Sequence, residues 1–163
     1  MPQKASNNCL KLIEKHEGCI LISYICPAGK WSVGFGHTRT AKQGLVITKQ
    51  QAFDLLSSDL EVVNAVINRH HLDLNQNQFD ALCSLIFNIG GGNFGTSTLL
   101  KKLQGHSPRP EIEAAWRMWR FGGSGENNGR DDDGDGLIDE PGEKQLLNGL
   151  VKRREDEIKL FFS

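Results

Sequence analysis

Two groups of residues in this chain have the types and spacing to do chemistry. The first is Asp131-Asp132-Asp133-Gly134-Asp135-Gly136-Leu137-Ile138-Asp139-Glu140. Alternation turns every second side chain toward one ion, so Asp131, Asp133 and Asp135 can supply oxygens together. Gly136 then allows a sharp turn, and the carbonyl of Leu137 points inward, the order found at the start of an EF-hand calcium loop. Position 12 of such a loop is Gly142 here, so the closing carboxylate must come from Glu140 or Glu143. The expected ion is Ca2+ in a structural role, held by Asp131, Asp133, Asp135, Leu137 and Glu140, with Asp139 reaching it through water. A plain acidic loop is the alternative, but it would not need glycine at that position. The second group centres on Glu17, a carboxylate directly before Gly18.

The elements that must position these groups follow from periodicity and punctuation. A first helix starts after Ser6, turns Leu10 and Ile13 inward and stops at Gly18, which leaves Glu17 in its last turn. From Ile20 to Thr38, β-branched and aromatic residues flank Pro27-Ala28-Gly29-Lys30, the pattern of a small β-hairpin or three-stranded sheet. Thr48 and Gln51 form a capping box for a long helix ending near His70. Further helices are expected at about 75–87, 98–104, from Pro110 toward Gly122, and 147–161, with Gly90 to Gly92 ending the first of these. Trp31, Trp116 and Trp119 read as core residues. This is an α+β plan with the sheet at one end. It is organised as one domain: a β lobe over about 17–47, a connecting helix over about 48–71, and a helical lobe over about 72–163. The acidic insert occupies about 126–143, and a cleft is expected between sheet and helices.

The chain has 163 residues and a net charge of −1. The insert holds eight acidic residues against Arg130, and the remainder carries 18 basic and 12 acidic residues, a net charge of +6. A basic body suits an anionic polymer such as cell-wall glycan, lipopolysaccharide or nucleic acid, or is simply a solvated surface. No apolar run approaches the roughly 18 to 20 residues of a membrane helix, and the N-terminus has no apolar core of signal-peptide type. Cys9, Cys19, Cys26 and Cys83 lack zinc-site spacing and are expected as reduced, mostly buried thiols.

The segment EKHEG followed by YICPAGKWSVGFGHT resembles the active-site region of the phage lysozymes of glycoside hydrolase family 24. The family pattern of Glu, eight residues, Asp, five residues, Thr, running into Gly-x-Gly-His, places Glu17, Cys26 and Ser32 at its three positions, with Gly34-Phe35-Gly36-His37 following. NQFDALCSLIFNIGGGNFGTSTLLKKL and GLVKRREDEIKLF resemble two later segments of the family. The resemblance implies a lysozyme-like fold and an endolysin that hydrolyses the β-1,4 bond between N-acetylmuramic acid and N-acetylglucosamine in peptidoglycan. It implies Glu17 as general acid and substrate contact through Phe87, Asn88 and Gly90. Phe87 could pack on a sugar face or simply end an amphipathic helix, and His37 either orients Glu17 or ties the sheet to the first helix. No nucleic-acid partner, membrane insertion or oligomer is expected. The implied route is accumulation in the host cytoplasm and release to the wall through a holin lesion.

Two departures from the pattern matter. Ser32 for Thr keeps a hydroxyl that could hold a water. Cys26 for Asp changes the chemistry, because thiols are mostly protonated at neutral pH and are poor general bases, whereas a thiolate is a good nucleophile. The expectation is that Glu17 carries most of the catalysis, with Cys26 as nucleophile or electrostatic partner. Two other functions stay open at this point: a non-catalytic, calcium-dependent wall-binding protein, and a lytic transglycosylase that adds no water.

Overall fold

Four short polar side chains in extended conformation open four of the helices. Ser6, Thr48, Asn75 and Ser97 accept hydrogen bonds from the backbone N–H groups of Asn8, Gln51, Gln78 and Leu100. Each satisfies a donor that the first helical turn would otherwise leave unpaired. The helices they start are α1 (Asn7–Glu17), α2 (Lys49–Arg69), α3 (Gln76–Ile89) and α5 (Thr98–Gln104). Thr48–Gln51 is a full capping box, as the spacing predicts, and Asn75–Gln78 is a second. The computed structural model describes residues 2–122 and 145–163.

Between α1 and α2, strands β1 (Ile20–Ile25) and β2 (Trp31–Gly34) form an antiparallel hairpin. Its turn is closed by Cys26 N–H to the Lys30 carbonyl and Gly29 N–H to the Cys26 carbonyl, both at 2.8 Å, with Gly29 at φ +74°. The other edge of β1 meets residues 45–47: Ser23 N–H bonds the Leu45 carbonyl, Ile47 N–H bonds the Leu21 carbonyl, and Ile22 bridges Val46. The sheet is therefore two strands with a short third edge. Tyr24 pairs with Ser32 and Ile20 with Gly34. Ser32 and Gly34 lie on the face turned toward α2, where a Cβ on Gly34 would meet Ala52 Cβ at 3.3 Å. Ile25, on the opposite face, is exposed.

The helices differ from expectation at three places. The α3 helix runs two residues past Phe87, to Ile89. The glycines after it do not simply stop the chain but form a short helix α4 (Gly91–Gly95), and a Cβ on Gly91 would lie 2.9 Å from Val66 Cγ2. Glycine is needed there for close packing rather than as punctuation. The α6 helix (Arg109–Arg117) is entered through Pro108 and starts one residue earlier than expected, then tightens into a 3-10 turn at Met118–Arg120. Strands β3 (Phe121–Gly122) and β4 (Gln145–Leu146) pair antiparallel, and α7 (Asn148–Phe161) follows.

The chain forms two compact units, Met1–Gly91 with Leu160–Ser163, and Gly92–Lys159. The long helix α2 thus belongs to the same unit as the hairpin, together with α1 and α3. In that unit α1, α2 and α3 pack on one another around Cys9, Ile13, Leu56, Leu60, Phe79 and Leu82, all buried. The second unit has its own buried set in Leu99, Leu103, Ile112, Ala115 and Trp116. Of the three tryptophans read as core, Trp116 is fully buried, whereas Trp31 and Trp119 are half-buried. No described helix is long and apolar enough to cross a membrane.

Candidate active site

The position of Glu17 is set at the other end of its helix. Asp80 on α3 accepts the Ser6 N–H at 2.9 Å and the Ser6 hydroxyl, and also receives Gln76 Nε2 at 2.9 Å. Just before Ser6, Ala5 N–H donates to Asn64 Oδ1 at 3.0 Å, and Gln3 exchanges two hydrogen bonds with Asn68. Side-chain amides on α2 and a buried carboxylate on α3 therefore hold the segment leading into α1. One turn before Glu17, Glu14 pairs with Lys49 at the start of α2 at 2.8 Å. That hydrogen bond and charge hold the Lys49 ammonium above its ordinary pKa although the group is exposed. Gly18, at φ +67°, ends the helix directly after Glu17.

Glu17 is exposed and opens onto a groove of about 620 Å³. Phe35, Gly36, Thr38 and Arg39 line it from the loop after β2, Asp59 and Val62 from α2, and Phe87 and Asn88 from the end of α3. All of these belong to the first unit. Asp59 and Val62 are three residues apart on one helix face. Apolar surface from Phe35, Val62 and Phe87 stands beside carboxylate, guanidinium, hydroxyl and amide groups. That mixture suits a polar polymer with apolar ring faces.

His37 sits behind this groove. It is 4% exposed, and both ring nitrogens are engaged. Nδ1 lies 2.8 Å and 3.0 Å from the two Asp59 oxygens, while Nε2 accepts the Thr40 N–H at 3.1 Å and faces Thr40 Oγ1 at 2.8 Å. An acceptor role for Nε2 puts the proton on Nδ1, which donates to Asp59. Sequence reasoning gave His37 a role at Glu17 or as a tie from the sheet to the first helix; the partners its ring meets are Asp59 and Thr40. His37 ties the groove-lining loop to α2.

The expected site residues separate into three sets. Glu17, Phe87 and Asn88 come together on the groove. Cys26 and Ser32 fall on the same face of the hairpin, because Tyr24 pairs with Ser32 and Cys26 is two residues beyond Tyr24. Neither lines the groove: Cys26 is half-buried at the turn, and Ser32 is 1% exposed. Gly90, expected as a substrate contact, also lies off the groove. It caps α3 at φ +86°, with its N–H on the Ile86 carbonyl at 2.8 Å, so its contribution is to end the helix just past Phe87 and Asn88. Asp131, Asp133, Asp135, Leu137, Glu140 and Glu143 lie outside the described residues. Among the described residues no cluster of metal-ligating side chains occurs.

Sequence reasoning missed Thr38, Arg39, Asp59 and Val62. Arg39 follows the Gly-Phe-Gly-His-Thr run by one residue, and that adjacency was its one local signal. Asp59 had none, because polar residues on the outer face of a long helix look alike until something packs near them. Of the four cysteines, Cys9 and Cys83 are buried while Cys19 and Cys26 are half-buried, and all are free thiols. A hydrogen bond with Cys9, together with burial, pushes the Cys83 thiol far above its usual range.

Comparison with known proteins gives a consistent picture. The phage lysozyme family model matches residues 14–157. An endolysin of Acyrthosiphon pisum secondary endosymbiont phage 1 is 40% identical over 159 residues, covering 97% of each chain. Among solved structures, the muramidase domain of SpmX from Asticaccaulis excentricus superposes with a TM-score of 0.83 at 33% identity, covering 99% of each chain. A mutant of P22 lysozyme does so with a TM-score of 0.77 at 30% identity, again over 99% of each.

Proposed function

The chain belongs to the phage lysozyme family, and on that premise we propose that Glu17 is the proton donor in cleavage of the peptidoglycan glycan. It is a phage endolysin, a lysozyme-type enzyme that degrades peptidoglycan. The finer reading is hydrolysis of the β-1,4 bond from N-acetylmuramic acid to N-acetylglucosamine. The observation that carries it is the placement of Glu17 at the mouth of a groove whose other walls offer Phe87 and Asn88. A glycan lying in this groove presents its bridging oxygen to the carboxyl group. Asn88 can bond a hydroxyl or N-acetyl group, and Phe87 can pack on a ring face.

As the bond from the anomeric carbon to that oxygen breaks, the Glu17 proton passes to the leaving sugar. The second group is proposed to come from the hairpin, whose second strand runs directly into the groove-lining Phe35 and Gly36, although Cys26 and Ser32 do not themselves line the groove. Cys26 as thiolate would attack the anomeric carbon, and water would later release the sugar with configuration retained. In the other role Cys26 acts electrostatically, and a water held near the Ser32 hydroxyl attacks with inversion. Their shared hairpin face supports assigning both residues to one side of the reaction. Proton NMR of the first-formed anomer separates the two.

Glu17→Gln should abolish turbidity loss of permeabilised cells, a drop of roughly 100-fold or more, without lowering the melting temperature. Near-normal lysis by this variant would overturn the assignment. The same experiment disposes of a non-catalytic wall-binding protein, whose best support is Cys26 in place of Asp. Mass spectrometry of the released fragments reads anhydro ends if the enzyme is a transglycosylase.

The insert over 126–143 is proposed to bind Ca2+ structurally. Its crowded carboxylates repel one another until a divalent cation orders them. Calcium should raise the melting temperature of the wild type and leave that of Asp133→Ala unchanged; equal behaviour of the two proteins would refute the site. Phage endolysins are released for host lysis, and passage through a holin lesion is the proposed route. The protein is proposed to act as a monomer.

A further inference from the structure

We propose that Arg39 reads a carboxylate of the substrate and so makes the groove selective for acidic muropeptide over neutral glycan. The inference rests on peptidoglycan being the polymer in the Glu17 groove. Arg39 is 60% exposed, yet it lines that groove and is not free to wander. Its Nη2 lies 3.2 Å from Asp59 Oδ1, while the same carboxylate is held from behind by His37 Nδ1 at 2.8 Å. Asp59 is only 21% exposed and sits on α2, so it acts as a fixed anchor for an otherwise flexible side chain.

The purpose of this arrangement is not fold stability, because an exposed ion pair contributes little to folding. What it achieves is orientation. One nitrogen of the guanidinium is spent on Asp59, and no other protein partner is recorded for it among the described residues. The rest of the planar fork is offered to the groove. Paired, charge-assisted N–H donors match the two oxygens of a carboxylate better than a single hydroxyl or amide carbonyl. Peptidoglycan supplies such groups at two places, on the lactyl substituent of muramic acid once the peptide is removed, and on the stem peptide itself. Groove carboxylates would otherwise repel such a substrate: Glu17 and Asp59 both line it, and Arg39 is the one cation on its walls among the described residues. Arg39 therefore decides whether an acidic chain is tolerated there.

The test uses the full-length protein on soluble, uncrosslinked peptidoglycan strands in three forms: native, with all free carboxyl groups converted to amides, and stripped of stem peptides by an amidase. For the wild type, amide conversion should raise KM by about tenfold and leave kcat within about twofold. Arg39→Gln should show the raised KM already on native strands, no further change on amidated ones, and an unchanged melting temperature. Arg39→Lys should recover part of the loss, and the wild-type advantage should shrink with added salt. On stripped strands, where the lactyl carboxyl is freed, a retained Arg39 effect means that the arginine accepts either carboxylate, and a lost effect confines the contact to the stem. The proposal is overturned if Arg39→Gln loses equally on native and amidated strands, or if it changes nothing on either. Inactivity of the wild type on all three forms would instead count against the peptidoglycan reading itself.

Discussion

The two compact units bury polar groups in opposite ways. In the first, buried and half-buried Asn64, Asn68 and Asp80 bond the segment that leads into the Glu17 helix, and His37 ties the loop after β2 to α2. In the second, one carboxylate gathers the charge. Glu157 is 0% exposed, with Arg153 Nε at 3.2 Å from Oε1, Arg154 Nε at 2.9 Å from Oε2, and Trp116 Nε1 donating to Oε2 at 2.9 Å. Arg154 also donates to the Trp119 carbonyl at 3.2 Å. The first arrangement fixes positions by many modest hydrogen bonds. The second ties α7 to α6 through one group whose loss leaves buried cations exposed to each other.

The largest effect should come from breaking that second arrangement. Glu157→Gln should cost roughly 3 to 5 kcal/mol in urea denaturation, because two buried guanidinium groups lose their counter-charge. A change near zero would mean that water or another anion compensates the pair. Next is Asp80→Ala in the first unit, which strands the Ser6 N–H and the Gln76 amide. It should cost about 2 to 3 kcal/mol, and lysis should fall further than stability alone explains, since the start of the Glu17 helix is released. Retained activity in the folded variant would show that Glu14–Lys49 alone positions the helix end.

The smallest effects are in pH dependence, and they separate the units. Burial, then the charges of Arg69 and His71, hold His70 below its ordinary pKa. A histidine depressed in the folded state contributes stability that is present above its unfolded value, about 6.5, and is lost as pH falls through the folded value. In the second unit, hydrogen bonds from Lys102, Arg109 and Arg117 hold Glu111, Glu113 and Glu155 below the usual carboxylate range. Their contribution is present above the unfolded carboxylate value, near 4.3, and disappears only in stronger acid. Melting temperature should therefore fall slightly from pH 7 toward 5, an effect that His70→Asn removes, and again below pH 4, where His70→Asn has no influence. A profile in which that variant changed the acid limb instead would break the distinction.

Much of the fold was legible because its determinants are local. Ser6, Thr48 and Asn75 announce helix starts through hydrogen bonds that reach only two or three residues, and Gly18 and Gly90 announce ends through positive φ. The hairpin was readable from Pro27-Ala28-Gly29-Lys30 and the β-branched residues around it. Glu17 was legible for the same reason, since a helix stop beside a carboxylate is a feature of five residues. The glycine run 90–92 was misread as plain punctuation, because the packing of Gly91 against Val66 is a contact between distant residues.

By itself, then, the sequence determined where the helices and hairpin lie, that Glu17 ends a helix, and that Cys26 and Ser32 fall on the hairpin. Each of these follows from backbone geometry over a few residues, with periods of 3.6 and 2 that need no partner. Only the tertiary structure decided that His37 is sealed between Asp59 and Thr40, and that Arg39 and Asp59 stand beside Glu17. It also left Cys26 and Ser32 off that groove. Those outcomes depend on how α2 docks against the hairpin and α3, a sum of contacts between residues far apart in the chain, and no short-range pattern encodes which polar side chain such docking will bury.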